Sequence, residues 1–156
     1  MRILSIVAAA AMVVSLAGFQ ESTASAAPPV AVSIQLKPAV FFPVEVGTWT
    51  VSGAIDDSGS FVRTEVDGTG SLPDCFCPPE HTGAFREVFV LTGSNGTLTI
   101  KEEALQRPGG EFGVVTGVWE VVSGTDGYSR ASGHGTAEFD GPTQTLVLTG
   151  VIAKAE

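Results

Sequence analysis

The chain has 156 residues, with 17 acidic against 8 basic side chains, a net charge of −9 and only two cysteines. That acidic balance, with the few Lys and Arg scattered, argues against nucleic acid or an anionic membrane as partner, because phosphate binding needs clustered cations. One domain is expected at this length, able to bury enough apolar surface to fold without disulfide staples.

Residues 1–26 read as an export signal. Arg2 opens it, an apolar run extends from Ile3 to Leu16, and the small-residue exit Ala24-Ser25-Ala26 predicts cleavage before Ala27. The run is shorter than the roughly 20 residues a membrane-spanning helix needs, and polar Gln20, Glu21, Ser22 and Thr23 follow at once. Arg2 and Glu21 cancel, so residues 27–156 keep the whole negative charge, which outside the cell serves solubility. The expected product is a secreted, extracytoplasmic protein with no membrane association after processing.

After the Pro-rich leader Ala27-Pro28-Pro29, the hydrophobic period is two, with β-branched and aromatic residues enriched and turn residues at short intervals. Strands are predicted over Val30 to Leu36, Val46 to Ser52, Ser60 to Val66, Phe85 to Thr92, Thr97 to Glu103, Gly113 to Val122, Gly133 to Phe139 and Gln144 to Ile152. Asp56-Asp57-Ser58-Gly59, Gly93-Ser94-Asn95-Gly96 and Asp140-Gly141-Pro142 supply turns, the second of them a hairpin. Only Glu102 to Gln106 has helix-friendly composition, closed by Pro108-Gly109-Gly110. The fold class is all-β. A single closed antiparallel barrel of about eight strands is preferred to a sandwich, because closure removes exposed sheet edges.

Strand parity then sorts the side chains. Val115, Gly117, Trp119 and Val121 share one inward face, Leu98 and Ile100 another, Ala137 and Phe139 a third, and Trp49 joins Val51. Around residues 85–91 both faces are apolar, one carrying Glu87 with Phe85, Phe89 and Leu91, the other Arg86 with Val88 and Val90. Whichever turns inward brings a charge toward the core. The inward alternative for Glu87 makes it a weak candidate for catalysis.

The longest break in the pattern runs over 67–84 and holds Pro73, Pro78, Pro79 and both cysteines. Long loops in compact domains are commonly functional or mobile. In an oxidising compartment Cys75 and Cys77 are expected to pair, and so short a ring contributes only about 1.6 kcal/mol on the chain-entropy model. A labile, redox-active bridge is one alternative. Metal ligation by Cys75, Cys77 and His81, with Asp74 or Glu80, is another, but one residue between the cysteines is poor spacing for zinc, and no metal or other cofactor is expected. His134 falls with Thr136 and Glu138 on an outward face. Asn95-Gly96-Thr97 is a formal glycosylation sequon, better explained as a hairpin tip. Nucleophile-elbow, phosphate-loop and dinucleotide motifs are missing from the sequence.

Gly124-Thr125-Asp126-Gly127-Tyr128, followed by Ala131 and Gly133-His134-Gly135, resembles the glycine-threonine-glycine, aromatic, small, glycine-x-glycine signature of the allene oxide cyclase and dirigent barrel group, with Asp126 interrupting the usual spacing. A tryptophan-bearing strand before it and the closing strand Leu146-Val147-Leu148-Thr149-Gly150 complete a likeness over roughly residues 85–152. It implies a barrel fold; that group's active-site residues are not carried onto this chain. Gly47-Thr48-Trp49 is similar to the glycine-x-tryptophan of lipocalins, the alternative barrel.

Three functions follow as expectations. The first is a secreted, non-catalytic barrel binding a small apolar ligand or a protein partner, with Trp49, Trp119, Tyr128 and Glu87 near the site, and with oligomerisation open. The second is a cyclase or isomerase of the allene oxide cyclase type, steering a reactive substrate by positioning, with Glu87 as the buried carboxylate. The third is a loop-centred redox or metal function through Cys75 and Cys77. The intact mass of the secreted protein is expected to begin at Ala27, and thiol counting under denaturing conditions is expected to find no free cysteine.

Overall fold

The computed structural model describes residues 28–41, 44–53, 55–69, 82–109 and 113–154. They form eight strands: β1 (Val30–Val40), β2 (Val46–Gly53), β3 (Asp57–Thr69), β4 (Gly83–Gly93), β5 (Gly96–Arg107), β6 (Val114–Gly124), β7 (Ser132–Asp140) and β8 (Thr145–Ala153). Each pairs antiparallel with its neighbours in sequence, and β8 returns to β1, closing an all-β barrel. The only other regular element among the described residues is a 3-10 turn, Asp126–Tyr128. Among the described residues, no helix is long and apolar enough to cross a membrane.

Several strands run further than their local composition predicts. The helix-friendly segment 102–106 is strand: it is paired to β4 on one side and β6 on the other, with Glu102, Ala104 and Gln106 buried and Glu103 and Leu105 exposed. Two-sided pairing and period-two burial override intrinsic propensity there. Asp57, expected in a turn, already pairs with Val51, and Gly59 pairs with Trp49, so the β2–β3 connection is shorter than its turn residues suggest. Gln144, expected to open a strand, sits at positive φ in the turn before β8. The ladder between β3 and β4 continues to Thr69 opposite Ala84, so both strands enter the sequence break at 67–84. The β4–β5 hairpin closes on Gly93 opposite Gly96, and Gly96 has φ +118°, which a side chain would strain.

Antiparallel order gives the barrel two distinct ends. The ends of β1, β3, β5 and β7 and the starts of β2, β4, β6 and β8 lie at one, called here the loop end. The starts of β1, β3, β5 and β7 and the ends of β2, β4, β6 and β8 lie at the other, called here the terminal end. Inward parity fills the barrel with Val32, Ile34, Leu36, Trp49, Phe61, Phe89, Leu91, Leu98, Ile100, Trp119, Leu148 and Ile152, all buried in one cluster.

The terminal end is fastened by Asp57. Its carboxylate accepts hydrogen bonds from the backbone N–H of Ser58, Ser94 and Asn95, the Ser94 hydroxyl and the Tyr128 hydroxyl, at 2.8–3.2 Å. One side chain thus joins the start of β3, the β4–β5 hairpin and the 3-10 turn. Burial alone would raise its pKa, but these hydrogen bonds outweigh it and hold the carboxyl well below its usual value. Tyr128 is buried beneath Lys154, whose Nζ lies 4.5 Å from the ring centroid, and burial with the Asp57 contact pushes its hydroxyl up to about 12.

Because Asp57 is depressed in the folded state, its contribution to stability is complete above the ordinary aspartate value of 3.8 and is lost as pH falls below it. Asp57→Ala is expected to lower stability by about 1–3 kcal/mol at neutral pH, and Tyr128→Phe, which removes one bond of the set, by about 0.5–1.5 kcal/mol. Urea unfolding at pH 7 and at pH 3 checks both the ranking and the partial weakening of the Asp57 effect once the pH falls below 3.8.

Candidate functional site

The loop-end half of the interior departs from the apolar rule. Glu87 follows inward parity in β4, between Phe85 and Phe89, while its neighbour Arg86 turns outward toward Asp67 at 3.6 Å. In β3 a bulge between Arg63 and Glu65 inserts Thr64, so that Arg63 opposes Phe89 and Val66 opposes Glu87. Arg63 keeps the inward parity of Phe61, and the bulge re-aims the strand after it, so that Val66 rather than Glu65 stands opposite Glu87. Arg63 Nη1 donates to Glu87 Oε1 at 2.7 Å and pairs with Glu45 Oε2 at 2.9 Å, and the Arg63 backbone N–H donates to the Glu45 carbonyl at 2.9 Å. All three side chains are buried, so one guanidinium holds two carboxylates away from water.

Glu102 is the third carboxyl of this group. It lies in β5 directly opposite Glu87 on one side and Trp119 on the other, flanked along its strand by Ile100 and Ala104. The residue is 1 % exposed, and neither carboxyl oxygen has a hydrogen-bond partner among the described residues. Burial, reinforced by the charges of Glu87 and Glu45, holds its pKa well above the usual glutamate value and so favours the protonated, neutral form. A neutral carboxyl both donates and accepts. The site therefore sets a proton-bearing carboxyl directly across one β-ladder from an ion-paired carboxylate.

Trp119 forms the wall next to Glu102. Its Nε1 donates to the Thr149 carbonyl at 3.3 Å, reaching across β7 to β8. The indole has room there because Gly135, paired with Gly150, carries no side chain; a Cβ on Gly135 would come within 2.7 Å of Nε1. On the loop side of Glu102 the next register row reads Phe85, Ala104, Gly117, Ala137 and Leu148. Gln106, one row further out, is also buried.

Of the site residues expected from sequence, Glu87 and Trp119 are brought together. Trp49 is buried but directs Nε1 to the Thr92 carbonyl in β4 at 3.1 Å, and Tyr128 belongs to the Asp57 fastening at the opposite end. His134 is exposed. Cys75, Cys77 and the weighed ligands Asp74, Glu80 and His81 lie outside the described residues, as does most of the 67–84 segment. Among the described residues, no group of three or more His, Cys, Asp or Glu side chains is placed to hold a metal ion. Sequence reading missed Glu102, Arg63 and Glu45. Continuing the alternation from Leu98 and Ile100 would have reached Glu102, and the parity of Phe61 points to Arg63; Glu45 lies before its strand and carries no periodic signal.

Compared with protein-family models, curated proteins and solved structures, the chain has no match in any of the three. The chemistry of the site rests on its geometry alone.

Glu102→Gln keeps the shape and removes the ionisable group. Wild-type stability is expected to fall as pH rises above the ordinary glutamate value of 4.5, because the unfolded chain releases a proton that the folded chain retains. The variant should lack that decline and be at least as stable as wild type at pH 8. Arg63→Met, which removes the cation shared by Glu45 and Glu87, should instead cost about 3–5 kcal/mol at pH 7. Thermal unfolding across pH 4–9 distinguishes the two.

Proposed function

We propose that this protein is an exported, non-catalytic β-barrel that binds a small, largely apolar molecule inside its loop end. The observation that carries this reading is the Glu102 carboxyl. Buried polar groups in native proteins are nearly always hydrogen-bonded, and among the described residues its two oxygens are the buried side-chain atoms left without a partner. An apolar interior with one convergent polar group is the usual composition of a small-molecule site. Its position inside a closed wall favours a small molecule over a protein partner. The leader at residues 1–26 supports export.

Kinship with the allene oxide cyclase and dirigent barrels is part of the same proposal. It is supported by the roles of the signature glycines: Gly135 makes room for the Trp119 indole, and Gly124 packs against the Tyr128 backbone. The register opposition of Glu102 and Glu87 favours a second reading, a cyclase or isomerase in which a carboxylic acid and an ion-paired carboxylate, side by side on one wall, act on one substrate.

Native mass spectrometry of the protein purified from its own culture medium is expected to show one bound small molecule, lost on denaturation. Adding that molecule back should change the fluorescence of Trp119, so that Trp119→Phe abolishes the response and Trp49→Phe keeps it. Recovery of the molecule in altered form after incubation would select the enzyme. A protein that carries no extra mass, with Trp119 insensitive to small molecules extracted from the medium, would end both readings.

A further inference from the structure

The charge inventory around Glu102 identifies the class of ligand. Three carboxyls converge, Glu45 from the β1–β2 connection, Glu87 from β4 and Glu102 from β5, and the cation facing them is Arg63 from β3. β6 contributes Trp119, which carries no charge. The other cations nearby are engaged on the outer face: Lys101 with Glu103 at 3.2 Å and Glu120 at 2.7 Å, and Arg86 with Asp67. The guanidinium of Arg63 is shared between Glu45 and Glu87, whereas Glu102 has no hydrogen-bond partner among the described residues. Among the described residues, Glu102 is thus the buried carboxyl of this group that Arg63 does not hold.

A neutral ligand acceptor would take the Glu102 proton in a hydrogen bond but leave Glu45 and Glu87 sharing one guanidinium. A ligand anion would be repelled by that pair. A cation takes the place of the Glu102 proton as its counter-charge, supplies the absent hydrogen-bond donors and is attracted by the excess negative charge of Glu45 and Glu87, and the adjacent Trp119 indole also attracts positive charge. Beyond Glu102 toward the loop end, Ala104, Gly117 and Ala137 present two methyl groups and a hydrogen, bounded by Phe85 and Phe139, which suits an apolar body.

We propose that the interior beside Glu102 binds a small apolar amine, with the ammonium group taking Glu102 as its counter-ion and the hydrocarbon or aromatic body lying along Ala104, Gly117 and Ala137. This rests on the small-molecule reading above and names its ligand class. The protons balance simply. The amine arrives as ammonium, Glu102 gives up its proton to solvent, and the complex holds an ammonium–carboxylate pair, so one proton leaves for each amine bound.

The test uses three probes of similar size on the purified full-length mature protein: 2-phenylethylamine, 2-phenylethanol and 3-phenylpropanoate. Calorimetric titration in buffers of different ionisation enthalpy counts the protons released. The expected result is amine binding about tenfold or more tighter than the alcohol, with no carboxylate binding. Release of one proton should accompany it, with affinity rising about tenfold per pH unit while Glu102 remains protonated in the free protein. Glu102→Gln should lose both the preference and the proton release. Equal or tighter binding of the alcohol or carboxylate overturns the amine assignment while leaving the small-molecule reading standing. Amine binding without proton release, or undiminished in Glu102→Gln, places the amine elsewhere and overturns the assignment too. Failure of all three probes overturns the assignment and counts against an aryl-sized apolar site, and the native mass experiment then decides the broader reading independently. The wild-type proton count stands even if the variant fails to fold.

Discussion

Everything in this structure depends on the hydrogen-bond ladder returning to its start. Because β8 pairs with β1 through seven consecutive residues, from Val30 opposite Ile152 to Leu36 opposite Leu146, the sheet has no edge. Side chains in the paired strands are thereby committed to the interior or the exterior. An open sheet lets a charged residue near an edge bend toward water. A closed one does not. Glu87 and Glu102 are interior because their neighbours Phe89, Leu91, Leu98 and Ile100 must be, and the alternation cannot be broken for one residue without inverting the rest of the strand.

The two ends of the barrel treat a carboxyl in opposite ways. Asp57 is surrounded by donors, three backbone N–H groups and two hydroxyls, and so is stabilised as an anion. Among the described residues Glu102 has no hydrogen-bond partner, and its burial favours the protonated acid. Donors around Asp57 come from turn backbone, which is plentiful where strands end; in mid-strand the backbone N–H groups are spent on the ladder, and only side chains can serve. That difference in local supply separates a fastening from a group held ready for an incoming molecule.

The barrel was legible in the sequence because period two, turn residues and strand count all agree, and the parity of Trp119 and Ala137 followed directly, whereas the two apolar faces of residues 85–91 left either Glu87 or Arg86 to turn inward. What escaped was non-local. Glu102 lay where the predicted strand Thr97 to Glu103 ran into a helix-friendly run, and its pairing with β4 and β6 carries the alternation through that run. Arg63 shares the inward parity of Phe61, but its meeting with Glu45 and Glu87 joins segments that periodicity does not connect. Asp57 resembles any turn aspartate until the β4–β5 hairpin and Tyr128, far along the chain, are brought to it. Sequence periodicity reports what each strand owes to the core; it is silent on which strands meet.

The indole of Trp119 and the glycine pair next to it are drawn from three strands. A methyl at position 135 would collide with Nε1, but also with the Thr149 carbonyl and with Gly150 Cα, and a methyl at 150 would collide with the His134 carbonyl. Shrinking the ring at 119 therefore does not release either glycine, because what fills their side-chain space is the backbone of the adjoining strand. Among descendants of this chain, positions 135 and 150 are thus expected to stay glycine whatever stands at 119, so that the wall beside Glu102 can be reshaped from the indole alone.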